Sequence, residues 1–470
     1  MIYESAKFTA EDICEACGGH IMKGRPEVFA SGISVDSRTI NPVEAFLALK
    51  GSNHDGHDFV EDALKSGASI VITERRDKSW DFPHGTALIL VANSQQALMD
   101  LASWHRSRLE GKILAVTGSC GKSTVKNMTA SILALTGSCS AAPKSFNNRI
   151  GVSLSLLAAS QTTDFVVLEL GTNHPGEIDE LAAIARPNAG LITCIGKSHL
   201  EGLGSKQGVQ EAKAELIPHI KPGGCLVLNA DDPLCRSLAG RYSGEVKTFG
   251  LHRTADMQPV DVRSEGEKQF FRARGSEFRL NVPGRHNVLN AAAAICLSRW
   301  AGAGTSDAIQ ALAGFQLPDL RSEKREVAGI QFILDCYNSN PTAMKAALES
   351  FLQRPAPRRR IVVCGDMLEL GEKSKELHHR LGRVLALTRL DVLVAVGSYA
   401  RDLVAGWRDL ADTDQKALHV EAPEKAWLFV AHLVAPGDVV LVKGSRALEL
   451  EKIVNAIEQF LSSGKKEAAA

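Results

Sequence analysis

An apolar run, Lys112-Ile-Leu-Ala-Val-Thr117, leads straight into Gly118-Ser-Cys-Gly-Lys-Ser-Thr124 and then into a helical pattern. No other stretch of the chain constrains the fold as much. A buried strand, a glycine-bearing turn and a helix N-terminus together turn backbone N–H groups and a partial positive charge towards a phosphate. Such a junction belongs in an α/β protein with a parallel sheet. Lys122 is expected to reach the terminal phosphates and Ser123 to offer a hydroxyl to Mg²⁺, with Gly118, Ser119, Cys120, Gly121 and Thr124 completing the cradle. The G-x-x-x-x-G-K-[ST] pattern is not fully met, because Val116 stands at its first glycine. Taken alone, the loop specifies a nucleoside triphosphate.

Around this junction the sequence falls into three regimes. Residues 1–92 carry short β-type runs (Gly32–Asp36, Ala45–Leu49, Ser69–Thr73, Ala87–Val91) separated by helical segments and loops, which predicts a small α/β domain. Residues 93–317 open with a helix over Ser94–Leu109, Ser94 being the expected N-cap. Buried strands are then expected at Lys112–Thr117, Phe165–Leu170, Leu191–Ile195 and Cys225–Asn229, followed by an antiparallel stretch over Val260–Val282 and an Ala-rich helix from His286 to Trp300. Residues 318–470 repeat the alternation, with strands at Ile330–Leu334, Arg360–Cys364, Asp391–Val396 and Asp438–Val442, which predicts a second, Rossmann-like sheet.

Composition narrows the class. Hydrophobic residues make up 44% and charged residues 23% of 470 positions, a globular balance. Lys+Arg and Asp+Glu both number 54, so net charge gives no case for nucleic acid or an anionic membrane as partner. No apolar run is long enough to span a bilayer, and no signal-peptide pattern opens the chain. Ten cysteines without a secretory signal read as free thiols of a cytoplasmic protein, and the Cys14/Cys17 pair has no second pair at zinc spacing.

Three further residues invite a chemical reading. Glu169 closes an apolar strand, where an acid is costly without a metal or a partner. At the carboxyl end of its strand it would face the same crevice as the phosphate loop. His199 follows the next strand in Gly196-Lys-Ser-His-Leu-Glu-Gly202, again at a carboxyl end. Carboxylate, imidazole and phosphate oxygens together could hold Mg²⁺. By pattern alone Lys213, between Glu211 and Glu215, reads as a solvated charge on a helix surface.

In order along the chain, these motifs resemble the Mur ligase family, and within it the branch that adds D-alanyl-D-alanine. The loop Thr117–Thr124 is similar to that family's T-G-[ST]-x-G-K-[ST]-[ST] form. Ser145-Phe-Asn-Asn-Arg-Ile-Gly151 resembles its substrate-contacting segment, implicating Asn147 and Asn148. Leu168–Ile178 and Ser198–Ser205 look like its metal strand and metal loop, and Glu211–Glu215 like the segment with its carbamylated lysine. Gly284–Ala291 resembles the adenine-side helix, with Asn290 in the adenine position. Arg321 and Asp335 match the nucleotide-contacting arginine and the ribose-binding aspartate. Tyr337-Asn-Ser-Asn-Pro341, Gly365-Asp-Met-Leu-Glu-Leu-Gly-Glu372 and Val442-Lys-Gly-Ser-Arg446 are the branch-specific strings, and Tyr337, Asn338 and Asn340 are the substrate-binding candidates among them. At the N-terminus Asp36-Ser37-Arg38, Lys50, Asp55 and His57 resemble a UDP-sugar-binding domain. The chain departs from the family at Val43 and Leu320, where glycine is usual, and at Cys336, where Ala or Ser is common.

The resemblance implies three domains: a UDP-muramoyl-peptide-binding domain (1–92), a central ATP-binding domain (93–317) and a C-terminal ligase domain (318–470) that closes on ATP. It implies an ATP-dependent amide ligase working through an acyl phosphate in peptidoglycan precursor synthesis, a monomer with UDP-N-acetylmuramoyl-tripeptide and D-alanyl-D-alanine as substrates. Lys122, Glu169, His199 and Lys213 would be catalytic. Ser123, Glu169, His199 and Lys213, the last as a carbamate, would hold two Mg²⁺ ions. Other ligases of the superfamily, and a nucleotide-driven conformational switch, are the competing readings at this point.

Overall fold

The computed structural model describes residues 7–51, 53–77, 79–142 and 144–462. Its centre is a six-stranded sheet, parallel throughout, in the spatial order Glu245–Phe249, Cys225–Asn229, Ala189–Ile192, Lys112–Thr117, Phe165–Glu169, Cys139–Ala141. These strands read as unbroken apolar runs because both faces of the sheet are covered. Leu114 and Val116 face the helices Lys122–Leu133 and Arg285–Ala301, while Ile113 and Ala115 face Ser94–Arg108, Arg149–Leu157 and Glu177–Ala185. Each fully buried Val, Leu or Ile contributes about 1.5–3 kcal/mol, so the two layers fix which way every strand lies. Four consecutive buried alanines, Ala291 to Ala294, keep the Arg285–Ala301 helix thin in the second layer. The expected antiparallel stretch is a three-strand meander, Val260–Glu265, Lys268–Ala273 and Ser276–Leu280.

The N-terminal sheet runs His20–Lys23, Ala87–Leu90, Ile70–Thr73, Ala45–Leu47, Ile33–Ser34, with only the first pair antiparallel. The C-terminal sheet runs Glu323–Val327, Ile330–Leu334, Val439–Lys443, Arg360–Gly365, Val392–Val396, Lys416–Val420, again with one antiparallel edge pair. Among the described residues no helix is long and apolar enough to cross a membrane. The cap expected at Ser94 is corrected. Ser94 is the first helical residue, and Asn93 is the N-cap, its Oδ1 accepting the Gln96 N–H at 2.8 Å. Asparagine ranks with serine as a cap, so the pattern left the choice to backbone geometry.

Val43 has φ +71°, in the left-handed region that β-branched residues avoid. Three hydrogen bonds hold it there: its N–H donates to Gly67 O, and its carbonyl accepts from the Ser31 N–H and the Ser69 hydroxyl. The side chain is exposed, so little packing is at stake. Left-handed backbone costs an L-residue about 1–2 kcal/mol, against about 0.5–1 kcal/mol of extra unfolded-state entropy for glycine. Val43→Gly should therefore raise the unfolding free energy by roughly 0.5–1 kcal/mol. Urea denaturation checks this, and an unchanged or lower midpoint would contradict the strain.

Candidate active site

Strand register brings the chemistry to one edge. Glu169 pairs with Val116 and Ile192 with Thr117, so the segments leaving all three strands emerge side by side. Here the chain passes from one side of Lys112–Thr117 to the other, the switch point at which open α/β sheets bind ligands. Gly118 has φ +142°, and a Cβ on it would lie 1.9 Å from Thr193 Oγ1. Only glycine lets the loop lie this close to the neighbouring strand end, whose Thr193 hydroxyl donates to the Cys120 carbonyl at 2.5 Å. Lys122 folds back over the loop, Nζ donating to Gly118 O at 2.9 Å, and Asn290 packs against Gly121. Ser119 ties the loop to the next segment through Gly196 and Ser198.

Glu169 is 3% exposed. It accepts from the Ser123 hydroxyl at 2.6 Å and from the Asn147 amide at 2.9 Å. Arg321, from the C-terminal domain, donates to Ser123 Oγ at 2.9 Å and lies over the Tyr337 ring at 4.5 Å. Asp335 is salt-bridged to Lys443 at 2.8 Å, and Lys443 also donates to the Asn338 carbonyl. Asn148 and Asn340 are helix N-caps, accepting from the Gly151 and Ala343 N–H groups.

His199 lies on the same side but not on Glu169. Its Nδ1 meets Glu369 Oε2 of the C-terminal domain at 2.6 Å, and that contact holds the Glu369 carboxyl below its usual range. Among the described residues no three His, Cys, Asp or Glu side chains form a ready metal cage. The donors beside the loop, the Ser123 hydroxyl and the Glu169 carboxylate, are nevertheless the hard oxygens that Mg²⁺ takes alongside phosphate.

The surface reading of Lys213 is corrected. Lys213 is fully buried, and its Nζ has no hydrogen-bond partner. Burial first, and then the Lys122 charge, push its ammonium down to about 7. The flanking acids turn outward instead, Glu211 to Arg241 and Glu215 to the Gly176 and Asp179 N–H groups. A usable signal was present: Val209, Ala212, Lys213 and Leu216 follow the i, i+3, i+4, i+7 spacing of one buried helix face.

Two cavities meet here. The first, about 300 Å³, is lined by the loop, Glu169, Asn290, Arg321, Asp335 and Tyr337. The second, about 310 Å³, is lined by Asn148, Arg149, Thr172 and His199. Lys122, Asn147 and Asn338 line both. The N-terminal candidates Ser37, Arg38, Lys50, Asp55 and His57 line neither. Arg38 projects into solvent while pairing with Asp36. Both His57 ring nitrogens are engaged, one by Asp55 at 2.5 Å and the other by the Glu74 N–H. The sequence reading named Lys443 and Glu369 only as parts of motifs; their partners lie 108 and 170 residues away, beyond local pattern.

Comparison with known proteins adds a separate line of observation. Profiles described as the Mur ligase middle domain, the Mur ligase glutamate ligase domain and the Mur ligase family catalytic domain match residues 116–298, 320–446 and 30–104. The UDP-N-acetylmuramoyl-tripeptide–D-alanyl-D-alanine ligase of Bacillus subtilis (strain 168) is 34% identical over 461 residues, covering 97% of this chain and 100% of that protein. The chain belongs to the Mur ligase family. Its Escherichia coli (strain K12) relative of the same name is 32% identical, covering 92% of this chain and 95% of that one. Among solved structures, MurF from Acinetobacter baumannii superposes with a TM-score of 0.87 at 31% identity, covering 97% of this Mur ligase and 100% of that chain. A Thermotoga maritima MurF ligase in complex with ADP gives 0.76 at 30% identity, covering 92% and 98%.

Gly118→Ala in this Mur ligase should lower ADP affinity at least about tenfold, or about 1.4 kcal/mol, because the added Cβ drives the loop off Thr193. Calorimetric titration, with circular dichroism as the folding control, reads this. Wild-type affinity would show that the close approach does not matter.

Proposed function

We propose that this Mur ligase joins D-alanyl-D-alanine to UDP-N-acetylmuramoyl-tripeptide at the expense of ATP, as a monomer in the cytoplasm. The observation that carries this reading is the sharing of Lys122, Asn147 and Asn338 by the two cavities. A triphosphate in the first and a peptide carboxylate in the second would meet at Lys122. Relatives of that name across almost the full chain supply the substrate identities.

A carboxylate oxygen of the tripeptide attacks the γ-phosphorus, ADP leaves, and an acyl phosphate forms. The free amine of D-alanyl-D-alanine then attacks the acyl carbon, loses a proton, and inorganic phosphate departs. The loop N–H groups of Gly118 to Thr124 and the Lys122 ammonium hold the phosphates, so positioning and charge neutralisation lower the barrier. Asn290 takes the adenine side and Asp335 the ribose, with Arg321 reaching from the C-terminal domain. Tyr337, Asn338 and Asn340 receive the incoming dipeptide, Asn147 and Asn148 the tripeptide end. Ser37, Arg38, Lys50, Asp55 and His57 receive the distant UDP-sugar. Closing the C-terminal domain over the cleft excludes water from the acyl phosphate.

Mg²⁺, two ions, would be held by Ser123 and Glu169 together with His199 and Lys213, and when bound would offset charge on the transferring oxygens. Lys213 fits only as an anion. A buried, unpartnered ammonium beside Lys122 would repel a cation, whereas its neutral amine can take up CO₂ and become an oxygen donor.

Three results are expected. Lys122→Ala should lose about 10²–10³-fold in turnover with the fold intact; near-normal turnover at saturating ATP would refute its role. With the tripeptide acceptor present, D-alanyl-D-alanine should stimulate ADP formation far more than D-glutamate, L-alanine or L-lysine. A nucleotide switch would instead hydrolyse ATP slowly whatever amine is added. Lys213→Ala should be nearly inactive and partly rescued by acetate or propionate, while full activity without added carboxylate would remove the carbamate.

A further inference from the structure

All ten cysteines are free thiols, and two of them, Cys120 and Cys194, line the first cavity. Cys120 sits in the phosphate loop, Cys194 just after the adjacent strand, and both are half-buried in the wall of the first cavity. Their backbones are locked side by side: the Ser119 N–H donates to the Cys194 carbonyl at 2.9 Å, and the Thr193 hydroxyl to the Cys120 carbonyl at 2.5 Å. Cys194 Sγ lies 3.8 Å from the Cys120 carbonyl. Cys120 Sγ is also 3.4 Å from Asn340 Oδ1 on the C-terminal domain.

We propose that Cys120 and Cys194 form a reversible oxidation site in the phosphate cleft, which takes a hydroperoxide and closes as a disulfide that weakens nucleotide binding. The surroundings select this pair. Burial pushes Cys139, Cys225, Cys296, Cys336 and Cys364 up to about 12 and Cys17 to about 11, leaving them inert. Cys120 alone goes down, through the neighbouring Cys194 thiol first, then the Asn340 contact and the Lys122 and Lys443 charges, while the same neighbour raises Cys194. The Cys120 thiolate attacks the peroxide O–O bond, giving a sulfenic acid and hydroxide (an alkoxide from an organic peroxide). Cys194 sulfur then attacks the sulfenic sulfur, the S–S bond forms, and the departing hydroxide leaves as water with the Cys194 proton. The bridge ties the loop to the strand end and removes the Cys120–Asn340 contact between domains.

This inference rests on reading the loop as the phosphate site, so the reduced full-length protein is first titrated with ADP. It is then treated with hydrogen peroxide, with and without saturating ADP, alkylated and peptide-mapped. The expected result is one disulfide joining the Cys120 and Cys194 peptides and an ADP affinity lower by about tenfold or more. Both effects should be reversed by dithiothreitol and prevented by ADP. Cys194→Ala, compared with its own reduced form, should stop at a dimedone-trapped sulfenic acid on Cys120. Thiols at both positions that survive peroxide while other cysteines oxidise would overturn the proposal, as would a linked pair with unchanged ADP affinity. A reduced protein that fails to bind ADP would overturn the phosphate-site reading instead, and the peptide map separates the two failures.

Discussion

One buried carboxylate organises the centre of this molecule. Every residue of the strand Phe165–Glu169 is buried, and a bare charge at its end would cost several kcal/mol. Glu169 is tolerated because the Ser123 hydroxyl and the Asn147 amide donate to it. Beneath it Lys126 is buried among the Ala142 and Lys144 carbonyls, near enough for the two charges to favour each other. Satisfying Glu169 therefore fixes the first turn of the helix behind the phosphate loop. It also fixes the segment before the Arg149–Leu157 helix and, through Ser123, the seat of Arg321 from another domain.

The strands were legible in the sequence because a parallel sheet covered on both faces leaves no polar face to blur the runs. Lys112–Thr117, Cys225–Asn229 and Ile330–Leu334 stand at their expected bounds for that reason. The loop was legible because glycine, lysine and hydroxyl residues are crowded at a strand–helix junction. Lys213 was not, since charge pattern treats any lysine between two glutamates as solvated, and only the apolar spacing around it argued inward. The His199–Glu369 and Asp335–Lys443 pairs were not legible either. The individual residues lie in recognisable motifs, but each pair joins segments 170 or 108 residues apart that meet only after the sheets have packed.

Two positions where the family resemblance leads one to expect glycine carry physical information. Val43 and Leu320 both keep left-handed backbone, at φ +71° and +58°, although neither is glycine. The turn is thus set by its surroundings and not by the residue occupying it. At Leu320 the N–H is taken by Glu323 and the carbonyl by the Tyr337 N–H, while the next N–H but one, that of Ser322, reaches Asp335. Arg321 is consequently presented to the cleft from a segment held on both sides. Strain of about 1–2 kcal/mol per residue is tolerable where several hydrogen bonds impose it.

The contacts that draw the C-terminal domain onto the loop involve the residues proposed to hold the nucleotide. Arg321 donates to Ser123, Cys120 meets Asn340, and the Glu369 backbone and side chain engage the segment around His199. Each of these contacts is worth about 1 kcal/mol, or about 1.5–3 kcal/mol where a charged group takes part, so a few polar contacts hold the domains together at this point. A ligand that takes over the Ser123 hydroxyl and the Arg321 guanidinium replaces the domain contact with a bridge through itself. Closure then gains in proportion to how much better the bridge is than the direct contact, which is how differential affinity shifts a two-state equilibrium. On the proposed reading, the side chains that join the domains are in this way the ones through which a nucleotide would report its presence.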